Sequence, residues 1–481
     1  MATISGLGGA NPNASVYSIV QQYMQLEQAG MDRLEEAKSD LELRNAAYDD
    51  LGSKLRDLRT QLSDFRWTGS LTPLNTFAST SSDESAVEIT VNGSASEGLH
   101  TVNVRTLARA HSIASREFVG EDATSLAGTH TFQVTQGGET FEISVTIDAE
   151  ATNQEAMSSI VSAINASGAG VAATLAATDS RTDGYRILLT SRTTGTDSMI
   201  SEITDTNGTL ASQLGLNGSS TEQGFSDNTV QKAADAKFSI DGLDFVSSTN
   251  QVSGALTGVT LNLSGVTEDG VTVAVERDVD AIRESIEDLL ESYNALVGFI
   301  GTRTRGADET GEGRGLMTGN TLFMSLRTQI RREATGDVAD PLGEAELVRL
   351  SQIGITADRE GKLSISDTEA LEDALATQPT EVVRLFSEED EGIAVRITDL
   401  VDTYVKAGGL LAQQDNLAQM RMRTIDQRIE REEERLLRRE DQLMEQFASL
   451  QNVLSQLSQQ QQILSAMGST TTTSSTTRSL F

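Results

Sequence analysis

Near the end of this chain leucine returns at every seventh residue, at Leu436, Leu443, Leu450, Leu457 and Leu464, and Met422 and Ile429 extend the series upstream. A seven-residue apolar repeat commits a segment to a helix whose stripe faces another helix. Coiled-coil helices in water normally carry Glu and Lys on their outer faces. Here no charged residue stands between Glu445 and Arg478, although 22% of the chain is charged. The other end matches it, because residues 2–26 are also without charge and Glu27 is the first ionic side chain.

Gln and Ser can bond to neighbouring protein without the desolvation of an ion, which costs several kcal/mol per group. A helix with a leucine seam and a Gln/Ser back is therefore suited to being surrounded by protein on every side. Upstream, "QRIEREEERLLRRED" has the opposite character, with Glu434 and Arg438, and Glu432 and Arg435, spaced to pair on a solvated helix. The two uncharged extremities, 2–26 and 446–477, are expected to be disordered in a lone subunit and to fold on joining partners.

The organisation reads helix, then sheet, then helix. A first helical segment covers about 15–66, where Leu34, Leu41, Tyr48, Leu55 and Leu62 lie seven apart, and Leu51, Leu58 and Phe65 add the second half of an a/d seam. Ala37 and Arg44 weaken that seam earlier, and Pro73 bars continuation. From Ser79 to Val275, Ser, Thr and Gly dominate. There "THTFQVTQGGETFEISVTI" predicts a hairpin turned at Gly137-Gly138, and Met157, Ile160, Val161 and Ile164 mark one amphipathic helix. Two β-rich modules are expected, dividing between Gly215 and Gln231. Helix returns at Asp280, with further helices over about Asn320–Glu333, 367–377, 379–386 and Leu411–Met467 and a small hairpin turned at Glu360-Gly361. The fold class is multidomain α+β: helical coiled-coil or bundle segments from both chain ends flank central β-rich modules. The expected division is 1–78, 79–225, 226–278, 279–410, 411–467 and a disordered Ser/Thr tail at 468–481. The segments 30–65 and 415–465 are expected to pair antiparallel over part of their length.

Composition removes several function classes. The net charge of −34 argues against nucleic acid, whose phosphates are held by Lys and Arg. With no cysteine, thiol catalysis and Cys-based metal sites are excluded. The apolar runs fall short of the ~20 residues a membrane helix needs, and the opening residues lack a signal-peptide pattern. "GEGRG" at Gly311–Gly315 follows a helix rather than a strand and reads as linker. "DSRTDG" at Asp179–Gly184 resembles a calcium loop, but Arg181 takes a ligand slot and Thr190 stands where the bidentate Glu belongs, so a hairpin turn is favoured. His100, His111 and His130 lack metal-ligand spacing, and no nucleophile elbow occurs. Trp67 is expected as a core or hinge plug. No catalytic, metal or cofactor site is expected, and no cofactor.

The chain resembles the bacterial flagellar filament cap family, hook-associated protein 2, over nearly its whole length. "LSQIGITADREGKLSISDTEALEDALATQPTEVVRLFS" and "GLMTGNTLFMSLRTQIRR" are the most specific pieces. "SIVQQYMQLEQAGMDRLEEAKSDLE" resembles the family's opening, and "AINASGAGVAATLAATDSRTDGYRILLTSRTTGTDSMI" is similar to a repeat shared by flagellins and cap proteins. The chain departs from the family at "GLGGANPNASVYS", where a Gly-hydrophobic-Asp-Thr turn is usual. It departs again at Gly30-Met31-Asp32, where a proline is typical, and in its "STTTTSSTTRSLF" tail.

The resemblance implies a homo-oligomeric ring at the distal filament tip, with helical legs built from both chain ends. It also implies partners in flagellin, the hook–filament junction proteins and a type III export chaperone. The protein would be extracellular and exported without a cleaved signal. A structural, non-enzymatic cap is expected, with Leu34, Leu41, Tyr48, Leu51, Leu55, Leu58, Leu62, Ile429, Leu436, Leu443, Phe447, Leu450, Leu454, Leu457 and Leu464 as the assembly seam. The alternatives are a tip adhesin binding host glycan or mucin, and another flagellar axial protein.

Overall fold

The structure, a computed structural model, describes residues 12–68, 71–179, 183–219, 228–310, 312–339 and 345–470. The expectations for residues 2–11, for the tail from 471, for Arg181 and for Gly311 lie outside these residues. The helices in chain order are α1 (Pro12–Phe65), α2 (Asn153–Ala166), α3 (Leu210–Gln213), α4 (Val279–Thr304), α5 (Thr321–Thr335), α6 (Thr368–Thr377), α7 (Pro379–Ser387), α8 (Ile393–Val405) and α9 (Leu410–Thr470). Two compact units result, one from Met1–Ser63, Asp288–Asp367 and Glu388–Phe481, the other from Asp64–Glu287 and Thr368–Ser387.

The first unit is helical. Leu51, Leu55, Leu58 and Leu62 of α1 are at most 1% exposed, and burying a leucine stabilises a fold by roughly 1.5–3 kcal/mol. Buried Leu296 and Ile300 of α4, Phe323, Leu326 and Ile330 of α5, and Ile397 and Val401 of α8 complete the core of this unit. Rings interlock within it, Tyr48 lying 5.7 Å and Phe299 6.3 Å from Phe323.

Polar side chains close the helix ends and the hairpin. Asn320 caps α5 by accepting from the Leu322 and Phe323 amides, and its own amide donates to the Tyr48 hydroxyl at 2.6 Å. Arg396 of α8 donates to the carbonyls of Glu333, Gly336 and Asp337, which the end of α5 would otherwise leave without partners. The hairpin Ile355–Ala357 with Leu363–Ile365 is pinned to α4 by Asn294, which donates to the Leu363 carbonyl at 2.7 Å and accepts its amide at 2.8 Å. Gly354 enters that hairpin at φ +77°, with the Asp367 carbonyl where a Cβ would stand, so both the backbone and the space require glycine.

The second unit holds two β modules. In one, an antiparallel five-stranded sheet runs in the order Phe77–Ser81, Val271–Arg277, Gly98–Thr106, Ala236–Ile240, Leu243–Ser247. It shares a core with a three-stranded sheet of Gln251–Leu256, Val259–Leu263 and Val87–Val91. Asp241 and Gly242, both at positive φ, turn the hairpin that pairs Ile240 with Leu243.

The other module is inserted between these strands. Its four-stranded sheet runs Gly218–Ser219, Ile200–Asn207, Gly128–Gln136, Glu139–Ile147, and Gly184–Ser191 pairs with Val171–Asp179 in a second sheet. Gly137 and Gly138 turn the expected hairpin, both at positive φ. Met157, Ile160 and Ile164 of α2 are buried against this module, and a Thr152/Glu155 capping box starts the helix. The expected division between 79–225 and 226–278 therefore needs correction, because strands before residue 107 pair with strands after residue 235 and enclose an inserted module. Hairpin and turn signals are local and do not report pairings closed across more than a hundred residues.

Tyr293 is buried in the helical unit and its hydroxyl has no partner among the described residues. Burial pushes its ionisation far above the usual phenol range. An unmet buried hydroxyl costs about 1–3 kcal/mol. Tyr293→Phe is expected to raise unfolding stability by about 1 kcal/mol without changing far-ultraviolet circular dichroism, measured by denaturant titration.

Candidate assembly interface

Helix α1 returns along α9 in an antiparallel register that several side-chain pairs define. Asn45 donates to Asp415, Lys38 lies 2.7 Å from Asp426, and Glu27 reaches Arg435 at 3.1 Å and Arg439 at 3.8 Å. Gly30 faces Glu432, whose carboxylate lies 3.1 Å from where a Cβ would sit. Arg435 also holds Glu432 at 2.7 Å, keeping that carboxyl below the usual range. These pairs are solvent-facing, and each contributes little on its own. Their consistency fixes the alignment of the two helices.

Burial follows from that register. Val20 and Met24 of α1 pack with Leu436 and Leu443 of α9, all four at most 7% exposed, and Met31, Met444 and Phe447 cover the cluster. Continued one residue for one, the register sets Leu450 level with Pro12, where the described part of α1 begins. Helix α9 runs on to Thr470, and at 1.5 Å per residue its 61 residues span about 90 Å. Past Phe447 its leucines lose their cover: Leu450, Leu454, Leu457 and Leu464 are all more than half exposed, with Val453 and Ile463 beside them. An apolar stripe of this size on an uncharged helix marks an interaction surface.

The sequence-derived seam thus falls into three groups. Leu51, Leu55, Leu58 and Leu62 are core of the helical unit. Leu436 and Leu443, with half-buried Phe447, meet the start of α1, while Leu34, Leu41, Tyr48 and Ile429 are half-buried farther along the two helices. Leu450, Leu454, Leu457 and Leu464 face solvent. Val20 and Met24 were missed, although Met24 and Met31 stand seven apart and Val20 lies one turn before Met24. The uncharged ends were expected to lack structure in a lone chain, yet residues 12–26 and 446–470 are helical. Leu, Gln, Met and Ala are good helix formers, and within α9 the only glycine is Gly468.

Trp67 is 56% exposed and plugs no core, a correction to its expected role. His100 bonds Asp241 at 2.8 Å, His130 donates from Nε2 to the Leu126 carbonyl, and His111 is buried, which lowers its proton affinity. Among the described residues no group of three His, Asp or Glu is placed to hold a metal, and no helix is long and apolar enough to cross a membrane.

Replacing Leu443 by Ala removes a buried side chain and is expected to cost about 2–4 kcal/mol in local opening of the paired helices. Leu457→Ala should change the isolated chain by less than about 0.5 kcal/mol. Amide exchange across residues 20–30 measures both effects.

Comparison with known proteins places this architecture. Family models of the flagellar hook-associated protein 2 N-terminus and C-terminus match residues 13–111 and 233–459, together more than half of the chain. The A-type flagellar hook-associated protein 2 of Pseudomonas aeruginosa is 27% identical over 475 residues, covering 95% of this chain and 96% of the relative. Flagellar hook-associated protein 2 of Escherichia coli K12 is 25% identical over 421 residues, covering 85% and 86%. The crystal structure of the D1-D2-D3 domains of the E. coli flagellar cap protein FliD superposes with a TM-score of 0.66 at 25% identity, covering 77% of this chain and 99% of that one. The matched segments take in nearly all of α1, α9 as far as residue 459, and the two strand groups of the enclosing β module, and the chain belongs to the flagellar hook-associated protein 2 family, the caps of the bacterial flagellar filament.

Proposed function

We propose that this protein caps the growing filament as a closed homo-oligomeric ring whose terminal helices dock among flagellin subunits at the tip. The observation that carries the reading is the exposed, uncharged stripe of Leu450, Leu454, Leu457 and Leu464. Helices draw most of their stability from tertiary packing of an apolar face, and packing this one in a helical groove of the filament would stabilise it. The contact is modest in area and purely apolar, so it can be released and remade as each subunit adds. The β modules hold neighbouring copies together and keep emerging flagellin from escaping. In this reading the protein acts without a catalytic centre, outside the cell, next to the hook–filament junction proteins, and meets an export chaperone before secretion.

Leu450→Asp with Leu457→Asp tests the docking. Both side chains are exposed in the single chain, so the variant folds, and cells carrying it are expected to shed flagellin monomers into the medium instead of growing filaments. Filaments of normal length from the double variant would contradict the docking.

A further inference from the structure

Helices α1 and α9 form more than a spacer between the helical core and the tip. Partway along them lies a shallow groove of about 660 Å³ whose floor includes Leu41 of α1 and Leu417, Met420 and Ile425 of α9. Leu417 is 42% and Met420 54% exposed, so nothing among the described residues covers this part of the floor. The rim is cationic. Arg44 is satisfied by Asp40 at 2.8 Å. Arg421 and Arg428, also lining the groove, are exposed, stand two turns apart on α9, and take part in no ion pair among the described residues. In a chain with 71 acidic and 37 basic residues, they leave a net positive rim beside an apolar floor.

We infer that this groove receives an amphipathic helix of a different protein, one with an apolar stripe flanked by Asp or Glu two turns apart. An apolar floor between two helices suits the apolar stripe of a third, and the guanidinium pair selects carboxylates at a matching spacing. A second copy seated groove to groove is disfavoured, because its own Arg421 and Arg428 would face the same two cations, and a copy offering a different face would show as an oligomer in sedimentation. The inference goes beyond tip docking: it concerns a separate stretch of the two helices and a different recognition chemistry, charge-selective where the tip is apolar.

The test uses the full chain and two labelled, stapled helical peptides three heptads long, both with leucine at a and d, one with Glu and the other with Lys at e and g. Fluorescence anisotropy at physiological ionic strength is expected to show the Glu peptide binding despite the chain's overall negative charge. Arg421→Glu with Arg428→Glu should weaken it by at least about tenfold and turn the preference to the Lys peptide. Arg421→Gln with Arg428→Gln, which removes charge without reversing it, should weaken the Glu peptide and gain nothing for the Lys peptide. Equal binding of both peptides to the unaltered chain, binding of neither, or full retention of the Glu peptide by the reversed variant would overturn the inference. So would sedimentation showing an oligomer of the unaltered chain that the arginine reversal dissociates, since the occupant would then be a second copy. Leu450 and Leu457 are untouched by these substitutions, so failure here leaves filament growth intact, and failure of tip docking leaves peptide binding intact.

Discussion

The contact on which the assembly surface depends is the closure of Val20 and Met24 against Leu436 and Leu443. It joins residues more than four hundred positions apart, so its loop-closure cost is set by the whole chain between them. Cross-helix ion pairs at Glu27, Lys38 and their partners choose the register but add little stability in solvent. The apolar contact supplies the binding and ends one turn short of Leu450. From Leu450 to Leu464 the helix is largely exposed, and that stretch carries no charge.

This partition explains a pattern that looks contradictory in composition. A chain with net charge −34 repels its own copies at long range. The same chain exposes an uncharged apolar stripe at one place and sets Arg421 and Arg428 beside an apolar groove at another. Repulsion over the body, joined to the two proposed docking stretches, would favour a few defined partners over general aggregation.

The repeat made much of this legible. Seven-residue spacing identified α1 and α9 and placed their ends within a few residues of those observed, because no proline and few glycines interrupt them. It did not say which turn faces which. Leu51, Leu55, Leu58 and Leu62 carry the same spacing as Leu450 and Leu457, yet pack inside the helical unit, and heptad phase alone cannot separate a core stripe from an assembly stripe. Helix α8 escaped notice: in "IAVRITDLVDTYV" five residues are Ile or Val, whose β-branching reads as strand. Its burial against the other helices overrides that preference. The inserted β module was hidden for a related reason, since alternation identifies a strand but not its distant partner.

The central claim is that the distal part of α9 exists to be covered by other chains. Hydrogen exchange on peptides spanning residues 446–470 tests it most directly, in the dilute monomer and in the same protein bound at filament tips. The account predicts rapid exchange in the monomer, while residues 436–443 stay protected, and strong protection throughout once assembled. Full protection of 446–470 in the lone monomer, or no gain on assembly, would contradict it.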